Sequence, residues 1–222
     1  MPTIDAGTND GRIMNGIGSW ASMRSGSSGS ADNNNNQDLS AVQVFYSGRG
    51  GGSWGIVRAF FDFPTTHITI APSSATFKLR GYVGSSADII AVRSEHSATL
   101  ANGDFDALYG ASTALGNTDG SGAGTLAGVS GLTYSAEIST WTTSGYNDIP
   151  LNATALADMA SLDTFKICIM EYDYDYLDIS TTSAVNTGWY WADKGSPLNP
   201  YIDYTAGTAA VTDNAVFFGA NF

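Results

Sequence analysis

The chain reads as all-β: a single antiparallel β-sandwich of jelly-roll type with one short bridging helix. Three observations predict it. Short alternating apolar and polar runs recur between Gly, Ser, Asn and Pro clusters. The 26 glycines and a charged fraction of only 14% replace the Leu, Glu, Lys and Arg richness of a helical protein. At 222 residues the chain suits one sizeable core, because two full domains would leave both thin.

Taken in order, the clearest strands are AVQVFYS, GIVRAFFDF, SATFKLRGYV, DIIAVRSE, TFKICIMEY, GWYWAD and PYIDYT. The stretch from Gly55 to Val83 is read as the central pair of the sandwich. Within it, Ala75, Phe77, Leu79, Gly81 and Val83 share one strand face, and Thr76, Lys78, Arg80 and Tyr82 the other. Asn152 to Ser161 (NATALADMAS) is the helix, capped by Asn152 or Thr154 and under three turns long, which suits it to closing an open end of the sandwich. Loops are expected at Arg24 to Asn36, Ser47 to Ser53 and Gly110 to Gly131. The domain is expected to span residues 1–205. Residues 206–222 then form a small-residue spacer and a tail bearing Val216, Phe217, Phe218 and Phe222, read as an assembly contact.

Charge and cysteine content exclude several roles. Twenty-one acidic against nine basic residues give a net charge of −12, which repels phosphate backbones, so no nucleic acid is expected as a partner. No run approaches the roughly 18 apolar residues of a membrane span, so no membrane insertion is expected. MPTIDAGTNDG has neither the basic start nor the apolar stretch of a signal peptide. Cys168, the only cysteine, lies between Ile167 and Ile169 and reads as a small buried hydrophobe.

No enzyme is read here, and no catalytic residue is assigned. Neither histidine has a companion motif, and no Gly-x-Ser-x-Gly elbow precedes a helix. His67 reads as a turn residue and His96 as a solvent-exposed strand end. In the run Glu171 to Tyr176, a regular strand would put Glu171, Asp173 and Asp175 on one face and three tyrosines on the other. Such carboxylates read as a solvated acidic hairpin, with calcium as the ion that would neutralise them. No other cofactor is expected. Trp189 and Trp191 share one strand face and Tyr190 takes the other. Large aromatics in a sandwich are usually core, but exposed together they would stack on sugar rings, so Trp189, Tyr190 and Trp191 are the glycan-binding candidates. SGRGGGS lacks the lysine and helix of a phosphate loop, and DNNNNQD reads as a polar surface loop.

Four segments carry a family resemblance: TIDAG near the N-terminus, Arg58 to Phe63 (RAFFDF), Ile70 to Leu79 (IAPSSATFKL), and Pro200 to Tyr204 (PYIDY). In order, together with Trp141 and the short helix, they resemble the DNRLRE-type (disaggregatase-related) β-sandwich modules, which are similar to the jelly rolls of carbohydrate-binding modules. The resemblance runs from Thr3 to Thr205, and its motifs are core-packing patterns. It implies a non-catalytic structural or adhesion module displayed outside the cell. With no evident leader, the expectation becomes a bacteriophage virion component (capsid decoration, head-fibre or tail-appendage protein), assembled in the cytoplasm and released by lysis. Its partners would be structural subunits, copies of itself or capsid and tail proteins. A secreted carbohydrate-binding module, with surface glycans as partners, is the alternative.

Overall fold

The computed structural model describes residues 1–48, 52–110 and 126–209. The tail residues Val216, Phe217, Phe218 and Phe222 lie outside them, as do most of the Gly110 to Gly131 loop and the middle of SGRGGGS. The fold is an all-β antiparallel sandwich. One layer runs in the order β1 (Thr3–Asp5), β11 (Tyr201–Thr205), β6 (Ser74–Ser85), β8 (Tyr146–Pro150). The other is centred on β5 (Ser53–Pro64). On one side β5 pairs with β2 (Gly11–Gly18), which carries β3 (Ser30–Asp32). On the other it pairs first with β4 (Val42–Ser47), then with β9 (Thr164–Glu171), which carries β7 (Ile89–Arg93).

The strand β10 (Val185–Trp189) pairs with both β4 and β6 and so joins the layers along one side. Gly188 makes this passage possible. A Cβ there would lie 2.2 Å from the Asp38 carbonyl oxygen and 2.6 Å from that of Val83, closer than real side chains come.

The long strands β5 and β6 are not hydrogen-bonded partners, which corrects the reading of a central pair; each is the centre of its own layer. They meet face to face: Phe77 of β6 packs edge-on against Phe61 and Phe63 of β5, with ring centroids 5.0 and 5.3 Å apart. Ile149, Ile167, Ile169, Ile202, Trp189 and Trp191 complete this interlayer core. Fully burying each such side chain contributes about 1.5–3 kcal/mol. The predicted alternation in β6 holds through Gly81, then fails. Val83 is 38% exposed, because the strand exchanges β11 for β10 as its partner there and the register shifts.

A second core covers the outer face of the β5 layer. Ile13, Ile56, Phe60, Val92, Cys168 and Met170 point away from the first layer, and Leu100, Phe105, Leu108, Leu126 and Leu132 from the connections close over them. Cys168 is buried, as its apolar neighbours predict.

The predicted helix is α2 (Ala153–Ser161). The Asn152 side chain accepts the Ala155 N–H at 3.1 Å, and Ala155 and Met159 turn into the interlayer core, closing one end as expected. A shorter helix, α1 (Trp20–Arg24), capped by Ser19, ends on the first residue of the segment read as loop, and β3 lies inside that segment, which corrects the reading. Five residues carry too little periodicity to be read from sequence.

Candidate binding surfaces

Trp189 and Trp191 are buried, at 0% and 1% exposure, and line the interlayer core 6.0 and 5.3 Å from Phe61. The Trp191 indole N–H donates to Asp38 Oδ2 at 2.9 Å. Neither ring can meet a glycan, which corrects that part of the sequence reading. Alternation sends Tyr190 to the opposite face, beside Tyr82 at 5.1 Å and beneath Lys194 at 5.9 Å.

The acidic run is not a hairpin strand. Strand β9 ends at Glu171, whose carboxylate accepts the N–H groups of Asp173 (3.3 Å), Tyr174 (2.6 Å) and Asp175 (3.2 Å) and so caps a π-helical turn over Tyr172–Tyr176. Coiling separates the three carboxylates, so they form no common calcium site. Asp175 turns inward and grips Arg58 with two 2.7 Å hydrogen bonds, both side chains at 0% exposure. Arg58 also donates to the carbonyls of Phe105 and Arg24 and stacks on Phe105 at 4.2 Å, while Arg24 Nε donates to the Asp175 carbonyl at 2.6 Å. This network ties α1, the π turn and the 102–105 segment to β5. Asp173 instead joins Asp88 and Glu137, the three offering carboxylate oxygens within 4.8 Å of one another at the surface. Desolvation, then the charges of Asp88 and Asp173, hold the Glu137 carboxyl above its ordinary range.

His67 lies in an exposed turn, as read. His96 does not reach solvent: it is 1% exposed, with its ring edge-on to Phe60 at 5.5 Å. Burial, then the nearby Lys166 charge, lowers its pKa to about 4. Its Nδ1 lies 2.8 Å from Ser94 Oγ, which donates to the Ala107 carbonyl at 3.0 Å. The hydroxyl proton is therefore engaged by a backbone acceptor, and the Ser–His contact is a structural clasp.

Beside this clasp the polar residues Asp62, Lys166 and Ser94 lie side by side across β5, β9 and the end of β7, and line a cleft of 610 Å³. Its cations are already engaged. Lys166 donates to the His96 carbonyl, and Arg93 pairs with Asp158 at 2.9 Å and stacks on Tyr109.

The outer face of the first layer is open. There Lys78 and Arg80 of β6 lie between Tyr201 of β11 and the pair Tyr146 and Asp148 of β8. Tyr146 and Tyr201 meet edge to face at 5.2 Å and wall a hollow of 370 Å³ with Asp5, Ser196 and Asn199. The Tyr146 hydroxyl donates to the carbonyls of Pro197 (2.7 Å) and Asn199 (3.0 Å), and Asn199 Nδ2 donates to Asp5 Oδ1 at 2.8 Å. The sequence reading missed these tyrosines. Their signal was the alternation itself, since Tyr201 and Asp203 in PYIDY must face away from Ile202.

At the end of the second layer, Ile17 and Ile179 are 70% and 52% exposed. Trp20 and Trp54 are half-buried, their indole N–H groups donating to Asp178 Oδ1 (2.9 Å) and the Thr181 carbonyl (2.6 Å). Trp20 and Trp54 thus both tie to the 178–181 connection that carries Ile179, and Ile17 lies three residues before Trp20.

A scan against protein-family models finds no match to this chain. A search of curated proteins likewise finds none.

Proposed function

We propose that this chain is a non-enzymatic structural or adhesion module of an assembly displayed outside the cell, in first place a phage virion component. The exposed Ile17 and Ile179, on segments tied together through Trp20 and Trp54, are the observation that supports it most. Exposed isoleucines suit burial against another subunit. The resemblance to DNRLRE-type modules points the same way, and the Phe-rich tail offers a second contact.

Light scattering on the purified chain tests this. Self-association is expected that is reduced by Ile17→Asp with Ile179→Asp, and abolished in a chain ending at Thr205 that remains folded. A full-length chain that stays monomeric at high concentration counts against assembly through its own copies. Glycan binding is the alternative reading, favoured by the tyrosines of the open outer face rather than by the tryptophans.

A further inference from the structure

We propose that the hollow walled by Tyr146 and Tyr201 binds a neutral oligosaccharide, one sugar ring lying against Tyr201 with its hydroxyls donating to Asp5. This rests on the glycan reading and gives it a site. Saccharide recognition needs an apolar ring face beside fixed polar groups, because a sugar presents C–H bonds on one side and hydroxyls around its rim. The hollow supplies both. Its 370 Å³ falls within the range of about 300–1,000 Å³ usual for small-molecule sites.

The walls are held before any ligand arrives. Tyr146 is fixed by its two carbonyl acceptors, the Tyr201 ring by its edge-to-face contact with Tyr146, and Asp5 by Asn199. Little side-chain entropy remains to be lost on binding. Asp5 is exposed and has Asn199 on one oxygen, which leaves acceptor capacity for sugar hydroxyls.

Charge selects a neutral glycan over an acidic one. The carboxylate in the hollow belongs to the protein, and the chain carries −12 overall. Of the neighbouring cations, Lys78 is held by Asp148 at 2.7 Å and Asp203 at 3.7 Å, and Arg80, whose Nη1 is buried without a hydrogen-bond partner, does not line the hollow. A uronate would meet repulsion from Asp5 with no cation among the described lining residues to offset it.

Calorimetry with the full chain against cello-, manno- and xylotetraose, and against a galacturonate tetramer, provides the test. At least one neutral tetraose is expected to bind, with shifts in ¹⁵N spectra confined to Thr3–Asp5, Gly145–Asn147 and Ser196–Asp203. Tyr201→Ala is expected to weaken binding at least tenfold, and the galacturonate to give no heat. Shifts mapping elsewhere, or binding lost in Tyr82→Ala but unchanged in a folded Tyr201→Ala, would overturn the hollow while preserving the glycan reading. Binding of the galacturonate alone would overturn the neutral assignment. Absence of binding to every tetraose would remove both.

Discussion

The central strands β5 and β6 are both twelve residues long, yet they solve opposite problems. Strand β6 buries one face and shows the other to water, so Lys78 and Arg80 point outward among tyrosines. Strand β5 is buried on both faces, and Arg58, on its outer side, lies under a second core. The same kind of ion pair therefore appears in two settings: Lys78 with Asp148 at the surface, Arg58 with Asp175 at 0% exposure. The difference teaches that the outer face of the β5 layer is closed by connections, and that a buried charge organises the closure.

Breaking the buried pair should have the largest effect. Asp175→Ala leaves the Arg58 guanidinium buried without its carboxylate, and a loss of about 3–5 kcal/mol is expected in urea unfolding. The paired change Arg58→Met with Asp175→Leu removes both charges and should recover much of that loss. If the double variant is no better than the single, the network acts through geometry rather than through charge. Phe77→Ala, in the interlayer core, is expected to cost about 3 kcal/mol, since it leaves a cavity against Phe61 and Phe63.

The two cores should also answer pH with opposite signs. His96 packs against Phe60 in the outer core with its pKa lowered from 6.5 to about 4. Its neutral form is the folded one, so stability is present above about 6.5 and is lost as pH falls through about 4. Asp10 is buried beside the interlayer core, where its Oδ2 accepts the Ala192 N–H, and burial raises its pKa from 3.8 to about 8. Its protonated form is the folded one, so stability is greatest below about 4 and is lost as pH rises through about 8. Melting temperatures across this range should show Asp10→Asn flattening the alkaline decline and leaving the acid limb in place. His96→Gln should do the reverse. An alkaline limb unchanged in Asp10→Asn would remove Asp10 from the account, although the π-turn cap Glu171, raised by burial to about 7, contributes in the same direction.

Lys78→Met is expected to change stability least, by about 0–1 kcal/mol. Asp148 is 59% exposed in its side chain, and screening weakens the pair. A loss as large as that at Asp175 would mean that the two settings do not differ as described.

The sequence carried the layers well where one face met water. Alternation in SATFKLRGYV identified the buried Ala75, Phe77 and Leu79, and the small cap-forming residue Asn152 identified the helix. It carried β5 less well. A strand buried on both sides has no alternation to read, so nothing local showed that Arg58 would be enclosed. The acidic run misled for a related reason. Alternating Asp and Tyr fit a strand equally well, and only Glu171 folding back onto three N–H groups makes the turn. His96 followed Glu95 in a polar stretch, and the cover that buries it comes from residues far along the chain. The candidate surfaces were legible only as residue types. Trp189 and Trp191 had the right chemistry for sugar stacking but faced inward, and the tyrosines that face outward come from β6, β8, β11 and the residue just past β10.

The pairing of β1 with β11 also sets how the module would carry a load. Thr3 lies opposite Asp203, so tension applied before β1 and after β11 would enter at neighbouring points on one rim. The strands would then peel apart one rung at a time instead of resisting together in shear. A module tethered at both ends would yield first at this seam, while one held through its faces would keep the whole ladder engaged.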